Sequence, residues 1–160
     1  MYDRRIAELQ HTISQTFSST LFTHLFPHST ISISLHVLSQ DGALLAACIN
    51  ATTLALIDAG IPMADYVTAC TTGLGADPLL DLNAQEELEL PFLTVGTVGA
   101  GKTDGGGEKV SVLVMETRVE VGRLESMLAV GVDGCKQVKE VLDRVVRKYG
   151  KRALQGGAAT

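Results

Sequence analysis

Basic residues are in short supply in this chain: thirteen Lys and Arg against eighteen Asp and Glu over 160 residues leave a net charge of −5. That balance argues against a freestanding nucleic-acid binder, which normally presents a net basic surface, while leaving room for a local basic patch inside a larger assembly. Cysteine is scarce too. Cys48, Cys70 and Cys135 are odd in number, far apart and without C-x-x-C spacing, which speaks against disulfides or a zinc site and predicts reduced core thiols. His11, His24, His28 and His36 stand in no arrangement with carboxylates or cysteines that suggests ligation, so no metal is expected. No apolar run reaches the length of a membrane span, and the N-terminus lacks a charged-then-apolar signal layout; an intracellular setting without a membrane partner is the expectation.

What the chain does have is apolar patterning. Hydrophobic residues make up 46% and charged residues 19%, the balance of a globular chain whose length suits one domain. From Asp3 to about Phe26, Ile6, Leu9, Ile13, Phe17, Leu21 and Leu25 recur at helical spacing, and Pro27 would stop the helix. Thr30 to Leu38 alternates apolar and polar residues and predicts a strand with one wet face. Leu44 to Ala59 is nearly all small or apolar and is closed by Gly60 and Pro62, which predicts a helix buried on most of its circumference. Asp65 to Gly73 reads as a central strand and Pro78 to Asn83 as a short one. Last comes a long helix from about Val121 to Leu154, with a basic end, "RVVRKYGKR", and a frayed tail, "QGGAAT". The order predicts an α/β layered fold with a mixed sheet.

The run GTVGAGKT, Gly96 to Thr103, satisfies the phosphate-loop pattern G-x-x-x-x-G-K-[ST] and raises the question of an ATPase. Such a loop must leave a strand and enter a helix at once. Leu90 to Val95 qualifies as the strand, but Asp104 and three glycines, Gly105 to Gly107, follow, each costing a helix about 1 kcal/mol. Lys109 to Thr117 then alternates as a second strand. Strand, glycine-rich loop, strand predicts a hairpin tip and no nucleotide; Lys102 would be at most an exposed cation.

Three segments together resemble the RNase PH family, most closely its eukaryotic exosome-core branch. "INATTLALIDAGIPMADYVTACTTG", Ile49 to Gly73, carries an N-A-[TS]-x-L-A-[LV]-x-D-A-G-I-P-[ML]-x-D pattern distinctive of that branch. "DPLLDLNAQEE", Asp77 to Glu87, is similar to the family's carboxylate loop, and "DRRIAELQHTI", Asp3 to Ile13, looks like its R-R-x-x-E-[IL] helix start. The resemblance implies an RNase PH-like fold, of the ribosomal protein S5 domain 2-like kind. On that reading residues 1–155 are the C-terminal portion of a single domain whose first half is missing, and 156–160 are a disordered tail.

Active members of that family shorten RNA from its 3′ end with inorganic phosphate. The resemblance places a D-G-G-[TS]-R phosphate site at Asp41, Gly42, Ala43, Leu44 and Leu45, where a hydroxyl and a guanidinium have both become leucine. Phosphate binding is therefore not expected, since methyl groups cannot replace charged and hydroxyl donors. It places the catalytic carboxylates at Asp81 and Glu87, the second an aspartate in the family; one extra methylene shifts a carboxylate by roughly an ångström, enough to cost on the order of 10²-fold. The plain reading of Asp81, Glu86 and Glu87 is a solvated acidic turn with Asn83 as a helix cap. Arg4 and Arg5 match positions that face the central pore and contact RNA.

The expectation is thus a non-catalytic structural subunit of the exosome core ring, supporting 3′-to-5′ RNA processing and degradation and guiding RNA through the pore. It would work without cofactor in nucleus, nucleolus and cytoplasm. Its partners would be other RNase PH-like subunits in a six-membered ring, cap subunits, a separate nuclease and RNA. The alternative is an active phosphate-dependent 3′-to-5′ exoribonuclease, using phosphate and Mg. If the first half is missing, the Leu44 to Ala59 helix and one sheet face would be left uncovered.

Overall fold

A computed structural model describes residues 2–75, 77–99 and 109–157. The amphipathic stripe forms helix α1 (Tyr2–Thr20). It stops six residues short of Phe26 because Ser and Thr crowd its end: Thr16 and Thr20 turn their hydroxyls back on the carbonyls of Thr12 and Thr16, at 2.7 and 3.1 Å. The chain then leaves as an extended strand-like step, Leu21 bridging Met63, before a short 3-10 turn at Thr23–Leu25.

Helix α2 (Leu44–Asp58) is followed by strands β1 (Val67–Leu74) and β2 (Pro78–Leu80), the short helix α3 (Ala84–Glu89), the hairpin strands β3 (Phe92–Val98) and β4 (Lys109–Met115), and the long helix α4 (Val121–Gly157). The sheet runs β2-β1-β3-β4. Every pairing is antiparallel, where a mixed sheet was expected. The connections explain it: neighbouring parallel strands need a crossover of about a dozen residues or more, and β1 reaches β2 through three residues. The layered α/β architecture itself is as the sequence predicts.

Alternation along β1 feeds two cores. Val67 and Ala69 point to one face, where they join Ile13, Phe17, Ile49 and Leu56 of α1 and α2. Cys70 points to the other, with Leu93, Val95, Met127 and Cys135 under α4. There Gly131 lets α4 lie close to the sheet, since a Cβ would come within 2.8 Å of Val95. None of the three cysteines is in a disulfide, and Cys70 and Cys135 are buried as core thiols.

Gly96, assigned to a hairpin tip by the sequence reading, instead sits inside β3, in register with Ala69 and Val112. β3 and β4 do form the expected antiparallel hairpin. Lys102, Thr103 and the triple glycine lie outside the described residues, as do positions 158–160; α4 runs past Leu154 to Gly157.

The outer edge of β1 beyond β2 is completed by side chains instead of a strand. Asn50 of α2 clasps one residue twice: its Nδ2 donates to the Ala69 carbonyl at 2.8 Å, and its Oδ1 accepts from the Ala69 amide at 2.9 Å. Thr53, one turn on, donates its hydroxyl to the Val67 carbonyl at 2.6 Å. A helix that reads as uniformly apolar thus carries two polar residues at i and i+3 that do the work of a neighbouring strand.

Residues 30–38 depart from the prediction. They form no strand, and no place in the sheet order is taken by them. Alternation reports one-sided burial; it does not supply an edge to bond to. Ile31, Ile33, Leu35 and Val37 line a groove of about 770 Å³ against Ile6 and Phe26 instead. Exposed large apolar side chains therefore lie here and on β2 and β4, at Leu79, Leu80, Val110, Leu113 and Met115, while α2 exposes only the small stripe Ala47, Ala51 and Ala55 among its apolar residues. Ile33, Leu35 and Val37 are 38%, 37% and 54% exposed, and Leu38 is 97% exposed. A patch of this kind drives association in water. The isolated chain is expected to sediment as dimers or larger species, and Ile33→Lys with Val37→Lys to shift it towards monomer; a monodisperse wild-type monomer would contradict this.

Candidate functional site

Two loops identified from the sequence are stitched together in space. Gly42 (φ +88°) passes so close to the Leu82 carbonyl that a Cβ would sit 2.3 Å from its oxygen. Asp41 accepts a hydrogen bond from the Ala84 amide at 3.3 Å. Ala43, also left-handed at φ +48°, is the N-cap of α2 and offers no side chain to its amides. Its own N–H donates to Glu87 Oε1 at 2.7 Å.

That last contact gives the site its character. A helix N-terminus attracts an anion because its first amides lack partners and the helix dipole is positive there. In this chain the nearest anion is internal: the Glu87 carboxylate. Leu44 and Leu45 stand beside it, Leu45 buried, so neither side chain offers a donor to a phosphate.

Arg5 joins the same place. A cleft of about 80 Å³ is lined by Arg5, Glu8, Leu44, Leu45, Glu87 and Glu116, among others. One guanidinium faces three carboxylates, so the formal local charge is negative. A phosphate dianion or an RNA backbone entering this cleft would meet net repulsion. Arg4 is exposed and paired with Glu8 of that lining at 3.3 Å, which still leaves the carboxylates in excess.

Asp81 is not brought into the cleft. It takes a left-handed turn (φ +58°) after β2, its N–H donating to the Thr71 carbonyl at 2.8 Å. Its charge is felt by Cys70 instead: burial first, and the Asp81 carboxylate second, push that thiol above its ordinary value. Asn83 is the helix cap the sequence suggested. Its Oδ1 accepts from the amides of Gln85 and Glu86 at 3.0 and 2.9 Å, and its own amide donates to Glu86 at 2.9 Å, a reciprocal capping box. Glu86 is thereby occupied structurally. Among the described residues, no group of three His, Cys, Asp or Glu side chains converges as a metal site requires.

Sequence reasoning thus found both loops and the cap. It missed that Glu87 would fold back onto Ala43, because spacing along a chain does not say which backbone amide a carboxylate will meet. It missed Asn50 as well, although an Asn followed by Thr on one face of an otherwise apolar helix was the available signal.

Residues 2–62 match the 3′ exoribonuclease family, domain 1 (RNase PH). The chain is 43% identical over 95% of its length to exosome complex component ski6 of Schizosaccharomyces pombe, covering 61% of it. It is 37% identical over 98% of its length to exosome complex component SKI6 of Saccharomyces cerevisiae, covering 62% of it. Against exosome complex component RRP41 of Homo sapiens it is 37% identical over 94% of its length, covering 60% of it. The chain therefore spans about three fifths of the length of these curated relatives. Rice Rrp46 shares the fold, with a TM-score of 0.81 at 23% identity, over 89% of this chain and 66% of that one.

Proposed function

This chain belongs to the RNase PH family, and from that premise we propose that it is a non-catalytic structural subunit of the exosome core ring. It would pair with other RNase PH-like subunits, carry cap subunits and guide RNA towards a separate nuclease, in nucleus, nucleolus and cytoplasm. The observation that carries the reading is the Ala43–Glu87 hydrogen bond of 2.7 Å. Where active relatives of this family would hold phosphate, the helix amide is taken by a carboxylate of the chain itself, with two leucines in place of donors.

Chemistry by phosphorolysis requires a phosphate aligned for in-line attack on the terminal phosphodiester, and groups that stabilise the charge that develops. Among the described residues lining the cleft, Arg5 is the one cation against Glu8, Glu87 and Glu116, and Arg4 offsets only Glu8. Asp81 is not among the described residues that line that cleft, which supports a pair of carboxylates without a shared reacting centre. Arg5 and Arg4 would instead act at a distance, as exposed charges on α1 along the path of an RNA strand.

The test is incubation of the complex purified with this chain, its separate nuclease removed, with RNA and inorganic phosphate. The expected result is no nucleoside diphosphate above the blank, with Asp81→Asn making no difference. Phosphate-dependent release abolished by Asp81→Asn would establish the exoribonuclease reading in its place.

A further inference from the structure

The long helix α4 changes character along its length. Its inward stripe, Leu128, Gly131, Cys135, Val138 and Leu142, recurs at spacings of three and four and packs on the sheet. The same stripe continues through Val145 and Tyr149, but these are 51% and 64% exposed. Beyond Leu142 no described side chain of α4 is buried. Over the last fifteen residues, about 22 Å of helix at 1.5 Å per residue, Asp143, Val146 and Gly150 are half-buried, with Asp143 and Arg147 near Tyr66 of the body, and the other described side chains are exposed.

That end is basic. Arg144, Arg147, Lys148, Lys151 and Arg152 give residues 144–160 a charge of +5, with no Asp or Glu after Asp143; in a chain of net −5, residues 1–143 then carry −10. Arg147 is tied to Asp143 at 2.7 Å. Arg144, Lys148, Lys151 and Arg152 pair with no carboxylate among the described residues. At about 100° per residue these four fall within roughly 100° of arc, so they form one face, about 12 Å long. Tyr149 borders that face, one turn before Arg152.

We infer that the basic end of α4 is a single-stranded RNA contact, its four cations on consecutive phosphates and Tyr149 stacking against a base. The choice of RNA as the polyanion rests on the exosome reading above; the site does not overlap Arg4, Arg5 or the Glu87 cleft. Magnitude decides against a protein partner in a groove. Val141, Val145, Tyr149 and Leu154 are the exposed large apolar side chains of this end, few beside the roughly 20–30 residues a side that a specific protein interface uses. A dense unpaired cationic face with an aromatic at its border is what a phosphate backbone with splayed bases requires. The family's pore positions are on α1, so this would be a second contact, on the opposite side of the sheet.

The experiment is fluorescence anisotropy of a labelled oligouridylate with the full chain, repeated between about 50 and about 200 mM salt. Each phosphate contact contributes about −0.7 to the slope of log K against log salt for a single strand. The triple variant Arg144→Gln, Lys148→Gln, Lys151→Gln, which keeps good helix formers, is expected to flatten the slope by about 2 and weaken low-salt binding at least tenfold. Tyr149→Ala is expected to weaken binding about fivefold or more without changing the slope. Arg4→Gln with Arg5→Gln should leave the slope's α4 component in place, which separates this site from the α1 contact. Unchanged affinity and slope in the triple variant, with far-UV circular dichroism showing α4 intact, would overturn the inference, whether the residual binding came from α1 or the helix served an acidic protein instead.

Discussion

Asn50→Ala is expected to lower the stability of the fold by about 3 kcal/mol, more than removing a half-buried polar residue ordinarily does. The side chain bonds both the amide and the carbonyl of Ala69, and Ala69 is 1% exposed. No strand lies on that side of β1 at this level, because β2 pairs only with Thr72 to Leu74. Truncation would leave two buried backbone groups without partners, each costing about 1–3 kcal/mol. Thr53→Val, which removes one bond to the Val67 carbonyl and keeps the shape, is expected to cost about 1 kcal/mol. Urea midpoints with a constant m-value would report the two; an Asn50→Ala cost no greater than that of Thr53→Val would refute the idea that Asn50 replaces a strand.

The second large effect is expected at Gly42. Its Cβ would meet the Leu82 carbonyl oxygen at 2.3 Å and the Asn83 carbonyl carbon at 2.7 Å, backbone atoms with no freedom to rotate away. Its φ of +88° adds the left-handed penalty of about 1 kcal/mol or more. Gly60→Ala is the matched control. It shares a positive φ, +68°, and its Cβ would meet nothing within 4 Å. The expected losses are about 1 kcal/mol for Gly60→Ala and about 3 kcal/mol or more for Gly42→Ala. Because Gly42 sits between Asp41 and Ala43, the loops should also part, breaking the Ala43–Glu87 bond. Equal losses at the two glycines would mean that the loops are not held by close approach.

The two substitutions also mark where the sequence was legible. Periodicity found α1, α4 and β4, because burial of one face is what a repeat of three-and-four or of two records; α2 was legible instead from its long run of small and apolar residues closed by Gly60 and Pro62. It failed at residues 30–38, where Ile31, Ile33, Leu35 and Val37 alternate as a strand would but have no partner edge. It misplaced the end of α1, because the Ser and Thr hydroxyls that compete with the helix are not apolar signals. It read Gly96 as a loop residue, although a glycine flanked by Val95 and Thr97 suits a strand crossed closely on one face by Val112. At the candidate site, residue identities alone showed that Leu44 and Leu45 offer no side-chain donors. That the Glu87 carboxylate meets the Ala43 amide, and that Asp81 is not among the described residues lining its cleft, are long-range facts of the folded chain.

The clasp between Asn50 and Ala69 has one more consequence, in the time domain. In an ordinary ladder an amide becomes exchangeable when its neighbouring strand frays. Ala69's amide is instead released to solvent when α2 lifts from the sheet or the Asn50 side chain swings out. Hydrogen exchange at the centre of β1 therefore keeps time with a helix, and the most deeply placed strand of the sheet opens and closes as one cooperative unit with α2, the helix whose N-cap amide, at Ala43, donates to the Glu87 carboxylate of α3.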